Sequence, residues 1–360
     1  NAGKRFAIVR DKMIYTDDAG VSRIDGDRTQ EQIEFAKREL GDTSELPPTE
    51  QRTLYFAPHC STGGMPQYLL YCVQRDLQAG KKVEVVEYQD IAPIYTVQKN
   101  AIKKLCPFHS LGQDKLGELA HIILRFNPTL VHLQEFPEMW LPPQIAMWLY
   151  NQPDRKYKRA ETGHGANIIQ KQLLPDYFSF SSPYHMEQYK QYGIPCELVE
   201  YIVEPKERPD RDAALTKLGL SPKRKHVLNV GLFTPGKNQG QIFRIAKSMP
   251  ETIFHFVGNQ APNFQAYWQP LMNSKPMNCV TWGEQADVDK FYSAMDALLF
   301  TSTEELTGLV VKEALAWNMP ALIYDLPTQG DVFKGKPGVH ILASNNDLYV
   351  QKQLEKVLGL

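Results

Sequence analysis

The chain has 360 residues, enough for two domains that each bury a core. Apolar residues make up 42% and charged residues 22%, the balance of a soluble globular protein. The net charge of −1 gives no argument for nucleic-acid binding or for strong attraction to an anionic membrane surface, and no nucleic-acid partner is expected. No apolar run approaches the roughly 18 residues of a membrane span, and the polar start Asn1-Ala-Gly-Lys-Arg is unlike a signal peptide. Peripheral membrane contact is left open, with nothing to indicate it. Five scattered cysteines without CxxC spacing predict reduced thiols, no zinc site and a cytoplasmic protein.

Residues 1–48 read as a small N-terminal extension. Short strands are expected at Arg5 to Arg10 and Lys12 to Tyr15, and helical spacing runs from Thr29 to Leu40 until Gly41 stops it. Pro47-Pro48 breaks the chain before the first domain, 49–205. There, strands are expected at 53–57, 82–88, 129–134, 177–181 and 198–203. Helices are expected through Tyr68 to Val73 and near 114–126, 140–150 and 184–192. Strands alternating with helices mean a parallel sheet covered on both faces. Two glycines, Gly63 and Gly64, precede the first of these helices, so their loop can turn N–H groups toward an anion; a plain turn is the competing reading. Glu161-Thr-Gly-His-Gly165 places His164 between glycines at a strand end, and His132 ends another apolar run, where it is expected to line a cleft.

The polar, Pro-containing stretch 204–212 reads as a surface linker into a second alternating series, 206–360. Its strands are expected at 226–230, 252–257, 278–282, 297–300 and 321–324. Its helices are expected near 239–248, 264–273, 287–296, 309–317 and 346–358. Tandem domains of this kind hold ligands at the carboxyl ends of their strands. Gly231 and Lys237 lie just after the first strand of this series, where glycine lets backbone approach a ligand and lysine offers a point charge to phosphate. Gly258 ends the second strand. After the fourth, Glu305 and Glu313 flank a turn at Thr307-Gly308 and a helix start at Leu309 and Val310. The unpaired N–H groups there can hold a diphosphate, with one carboxylate on either side of it. An arbitrary glutamate pair is more often a pair of solvated helix-end charges; here the surrounding pattern argues otherwise.

That pattern, Glu305-x7-Glu313 followed by Ala314-Leu315-Ala316, resembles the Glu-x7-Glu motif of the retaining glycosyltransferases of family 4. Gly231-Leu-Phe-Thr-Pro-Gly-Lys237 is similar to that family's Gly-Arg-Leu-x-x-x-Lys segment, the Gly63-Gly64 loop to its glycine-rich loop, and Thr162-Gly-His164 to its Thr-x-His. The resemblance covers about residues 52–345. It implies a GT-B fold, two Rossmann-like doubly wound domains facing across a cleft, with the donor in the C-terminal one. It also implies sugar transfer from a nucleotide-diphosphate sugar to a hydroxyl of a glycan, lipid or small molecule, with retention and without cofactor or metal. Catalytic residues would be His164, Lys237 and Glu305. Donor contacts would come from Gly63, Gly64, Gly231, Lys237, Gly258, Glu305, Thr307, Gly308, Leu309, Val310 and Glu313, with Glu305 at the sugar and Glu313 at the ribose.

One departure matters. The family's arginine is Leu232 here, so one of two cations for the leaving diphosphate is missing, with Arg244 and Lys312 as candidate substitutes. This keeps open a catalytically weak nucleotide-sugar-binding partner subunit. A sugar-nucleotide epimerase ranks lower, because its acid and base carboxylates are not evident.

Overall fold

The computed structural model describes residues 5–9, 12–16, 22–27, 47–91, 95–152 and 155–360. The chain divides into two compact units, Asn1–Glu200 and Tyr201–Leu360.

The first unit opens with an antiparallel three-stranded sheet, β1 (Arg5–Val9), β2 (Lys12–Thr16) and β3 (Ser22–Asp27). The first two are the expected hairpin; the third was not foreseen, and the helix expected over 29–40 lies outside the described residues. The rest of the unit is a seven-stranded sheet. Its strands are β4 (Arg52–Ala57), β5 (Lys82–Glu87), β6 (Phe108–Ser110), β7 (Leu130–Gln134), β8 (Lys158–Thr162), β9 (Tyr177–Phe180) and β10 (Cys196–Leu198). They pair in parallel in the order β10-β9-β8-β7-β4-β5-β6, so the winding direction reverses between β4 and β7. The core on one face is built by Leu54, Phe56, Val131, Leu133, Phe178 and Phe180 among others. The opposite face of β4 turns Thr53 and Tyr55 to the buried Asp76, whose carboxylate accepts from Tyr55 Oη at 2.9 Å and pairs with Arg75 and Lys81. Such a buried acid is tolerated because every neighbour supplies a proton or a charge.

The second unit is a six-stranded parallel sheet of β11 (Lys225–Val230), β12 (Thr252–Val257), β13 (Cys279–Gly283), β14 (Ala297–Phe300), β15 (Ala321–Tyr324) and β16 (Val339–Leu342). Their order, β13-β12-β11-β14-β15-β16, is that of a doubly wound dinucleotide-binding sheet with its reversal between β11 and β14. Successive residues serve opposite faces. Ala297, Leu299, Leu322 and Tyr324 join one core cluster, while Leu298, Phe300, Ala321 and Ile323 join the other. Helices cover both faces, which is why these strands read as continuous apolar runs.

Several helices fall where their signals put them. Asp114 caps Lys115–Phe126 by accepting from Gly117 N–H at 3.0 Å, and Asn127 ends that helix at φ 48°. Asn346 caps the final helix, Asp347–Leu358, and Gly359 ends it at φ 70°. Other expectations need correction. Residues 199–203 are not strand, and the helix expected over 287–296 is the single turn Asp289–Tyr292. The stretch 204–212 is docked rather than a free linker. Lys206 N–H donates to Ala316 C=O at 2.7 Å, Arg208 Nε to Ser293 C=O at 3.1 Å, and a helix, Arg211–Lys217, starts within it.

Candidate active site

In the second unit the loops after β11 and β14 leave the sheet on either side of the reversal and are stitched together. Thr303 N–H donates to Gly236 C=O at 2.8 Å, and the Thr301 hydroxyl lies 3.1 Å from Asn238 C=O and 3.3 Å from Lys237 C=O. Thr234 caps the turn Pro235–Lys237, accepting from Lys237 N–H at 3.2 Å. Lys237 is thereby aimed back across the sheet end. Its stem passes beside Gly231, about 3.7 Å from where a Cβ there would lie, and its Nζ lies 5.2 Å from the Phe300 ring centre. The ammonium pairs with the carboxylate of Glu305, both side chains being partly accessible. Two sequence-predicted residues 68 positions apart are thus in direct contact.

Gly308 sits at φ 58° as the N-cap of the helix Leu309–Ala316. A Cβ there would lie 2.8 Å from the Phe333 ring and 2.9 Å from Gln329 Nε2, so both conformation and space require glycine. The helical ladder begins at Val311 N–H to Gly308 C=O, 2.9 Å, leaving the Leu309 and Val310 N–H groups without an intrahelical acceptor. Thr307, half-buried, precedes the cap. Gly258 has a structural reason of its own. At φ 147° its Cα faces Gly231, and a Cβ would fall 2.0 Å from the Gly231 carbonyl oxygen. Glycine is therefore needed for the β11 and β12 loops to pass, whatever ligand lies nearby.

Glu313, about one turn into the helix, is held by two tyrosines that the motif does not reveal. Tyr201 Oη donates to one carboxylate oxygen at 2.9 Å and Tyr292 Oη to the other at 2.8 Å. Burial raises the carboxyl pKa above its ordinary value, and the two tyrosine hydrogen bonds pull it back down. Each oxygen keeps a second lone pair for another hydroxyl. Leu232 is half-buried where an arginine was expected, and its carbonyl accepts from Gln239 Nε2 at 3.0 Å. Arg244 is an unsuitable replacement cation, because Asp347 takes its guanidinium through contacts of 2.7 and 3.2 Å.

In the first unit Gly63 is the N-cap of the 15-residue helix Gly64–Gln78, and Gly64 is exposed. His164 follows β8, where Gly163 is pressed onto Phe136; a Cβ on Gly163 would come within 2.2 Å of that ring. His164 Nε2 lies 3.3 Å from Gln134 Oε1, and its ring meets Tyr68 edge-on at 5.5 Å. Burial lowers its pKa to about 3, so it acts as a neutral imidazole at physiological pH. His132, expected to line a cleft, is instead buried within the sheet. Its Nε2 lies 2.8 Å from the Thr162 hydroxyl, which itself donates to Ser179 C=O.

The sequence reading overlooked Glu135, which follows β7 at φ 145° with its carboxylate 3.0 Å from Phe136 N–H and 3.3 Å from His164 N–H. No composition or spacing signal marks it; only the backbone angle does.

Two parallel doubly wound units in this order define the GT-B glycosyltransferase fold. Residues 210–358 match the sequence profile of the family described as Glycosyl transferases group 1. A processive diacylglycerol alpha-glucosyltransferase from Acholeplasma laidlawii is 30% identical over 169 residues, 46% of this chain. The match spans about half of that relative, 49% of its length. Among solved structures, sucrose-phosphate synthase from Thermosynechococcus elongatus superposes with TM-score 0.68 at 15% identity, covering 86% of this chain and 90% of the other. Anabaena HepE, solved with UDP-glucose, does so with TM-score 0.68 at 12% identity, covering 85% and 90%. A glycosyltransferase from Rickettsia africae gives 0.65 at 13% identity, covering 86% and 89%. These likenesses extend over both units and establish the fold.

Proposed function

We propose that the protein is a retaining glycosyltransferase that takes a nucleotide-diphosphate sugar in its second unit and delivers the sugar to an acceptor hydroxyl. The observation that carries this reading is the meeting of Lys237 and Glu305 beside the Gly308 helix start, at the reversal point of a dinucleotide-type sheet. In this reading the leaving diphosphate takes the N–H groups at Leu309 and Val310 together with Lys237. Glu305, kept close by its ion pair with Lys237, faces the sugar, and Glu313 accepts from the ribose hydroxyls. Because these donors are fixed before the bond breaks, they need no reorganisation as charge builds on the phosphate. Neutral His164 would donate or accept a hydrogen bond rather than a full proton, which suits a reaction run by positioning and by the departing phosphate.

UDP-glucose is the donor to test first, since HepE was solved with it and the Acholeplasma relative is a glucosyltransferase. That relative's name also makes a diacylglycerol hydroxyl the first acceptor to test, beside glycans. Among the described residues no helix is long and apolar enough to cross a membrane, and a cytoplasmic site of action is part of this proposal. The test is UDP release from a panel of sugar nucleotides, with dioleoylglycerol micelles, oligosaccharides or no acceptor, and product anomericity read by NMR. An inverted product, or a protein with no affinity for any sugar nucleotide, would overturn it.

Leu232 and the engagement of Arg244 by Asp347 favour one second reading, a nucleotide-sugar-binding subunit with weak turnover. Micromolar UDP affinity without UDP release under any acceptor would select it.

A further inference from the structure

Four non-glycine residues among the described ones have positive φ, and three are asparagines near 50°, a conformation asparagine tolerates. The fourth is Glu135 at φ 145°, a region that side chains avoid and that persists only where the surroundings enforce it. Its position is informative. It is the first residue beyond β7, and β7 pairs with β4 at the winding reversal of the first sheet, where doubly wound sheets receive ligands. The strained backbone turns its half-buried carboxylate to the Phe136 and His164 N–H groups rather than to any cation at hydrogen-bond distance among the described residues. A glycine would relieve the strain, and a neutral amide would make the same two contacts through its carbonyl oxygen. Neither the fold nor the clamp on His164 therefore calls for a negative charge here. The loops leaving the same end of this sheet after β5, β7 and β8 expose apolar side chains, Ile91 at 54%, Met139 at 53% and Ile168 at 37%.

We propose that Glu135 is the acceptor-recognition carboxylate of the first unit, accepting a hydrogen bond from the hydroxyl of an acceptor whose body is apolar, such as a diacylglycerol. This deepens the transferase reading above and rests on it. The carboxylate supplies a strong acceptor at that sheet end, and Ile91, Met139 and Ile168 supply a surface for hydrocarbon that a glycan would not use. Glu135 acts as an orienting group: it fixes the hydroxyl, and no bond is made or broken at its oxygens.

The experiment compares wild type, Glu135→Gln and Glu135→Gly with UDP-glucose as donor and dioleoylglycerol in detergent micelles as acceptor, alongside calorimetry with UDP. Glu135→Gln should lose about tenfold or more in transfer to dioleoylglycerol, chiefly through the acceptor's KM, because a charge-assisted hydrogen bond becomes a neutral one. Its UDP affinity and melting temperature should match wild type. Glu135→Gly should melt higher than wild type by relief of strain, yet transfer as poorly as Glu135→Gln. Wild-type transfer by Glu135→Gln would overturn the assignment and leave the transferase reading standing. Transfer by wild type to oligosaccharides but not to dioleoylglycerol would overturn the apolar acceptor class. A lower melting temperature for Glu135→Gly would remove the strain argument. A wild type that releases no UDP from any donor would instead bring down the transferase reading, and this inference with it.

Discussion

Replacing Lys237 with alanine separates folding from function. In the unliganded chain its ammonium pairs with Glu305, with side-chain exposures of 28% and 15%, so the pair is screened by water and contributes at most about 1 kcal/mol to stability. The stem touches the space beside Gly231 and the Phe300 ring, neither of which collapses when it is removed. A shift of a few degrees in melting temperature is the most that should result. Ligand effects should be larger. A hydrogen bond from a charged donor to diphosphate is worth about 1.5–3 kcal/mol, which corresponds to UDP affinity lower by roughly 10- to 150-fold. In the transition state, where the phosphate takes up the bonding electrons, the same contact is worth about 3–4 kcal/mol, or roughly 10²–10³ in turnover. The two factors should differ, with kcat/KM suffering more than binding. Thermal denaturation, calorimetry with UDP and UDP-release kinetics on one preparation give all three numbers. A folded Lys237→Ala protein with wild-type UDP affinity would refute the reasoning, because the cation would then serve only Glu305.

The division between the two glutamates predicts a contrast: Glu313→Ala weakens UDP and UDP-sugar binding alike, whereas Glu305→Ala weakens mainly the sugar nucleotide, and equal losses in calorimetry would contradict it. Glu313→Ala also strands the hydroxyl of the buried Tyr292, so unfolding in urea should show about 1–3 kcal/mol of destabilisation. Gly258→Ala must move the Gly231 carbonyl by more than an ångström, so it should cost about 3 kcal/mol or more by the same assay, from overpacking together with backbone strain. Acid should weaken the second unit through a chain of neutral rings: Trp282 Nε1 donates to His255 Nδ1 at 3.1 Å, His255 Nε2 to His226 Nδ1 at 2.9 Å, and His226 Nε2 to Ser221 C=O at 2.9 Å. Burial lowers the His255 pKa to about 3, so the unfolded chain binds the extra proton below 6.5 and the stabilisation, complete above 6.5, falls by up to about 1.4 kcal/mol per pH unit toward 3. His255→Phe should flatten that limb of the stability curve. Leu232→Arg tests the subunit reading: little change in UDP release is expected of an active enzyme, and rescue of an inactive one would favour the subunit.

Most strands and helices of both units were legible in the sequence because hydrophobic periodicity reports burial, and parallel strands buried on both faces leave apolar runs; the short β6 and β16 were not among the expected strands. The placement of Gly308 at a helix start, with Glu305 before it and Glu313 about one turn inside, was legible because those spacings are short and local. Strand β8, expected only as the strand end before His164, had no legible range for the converse reason. Its charged residues interrupt any apolar run, yet Arg159 and Glu161 are both fully buried, Arg159 against Tyr150 C=O and Glu161 against Lys171. Charge in a sequence signals solvent only when no partner is waiting in the fold. Everything that depended on a distant partner was decided by the tertiary structure. The winding reversal brings Lys237 to Glu305, the chain folds Tyr201 back over 112 positions to Glu313, and Asp347 removes Arg244 from consideration. Glu135 belongs to the same class: its significance lies in a backbone angle, which its neighbours in space impose and its neighbours in sequence do not encode.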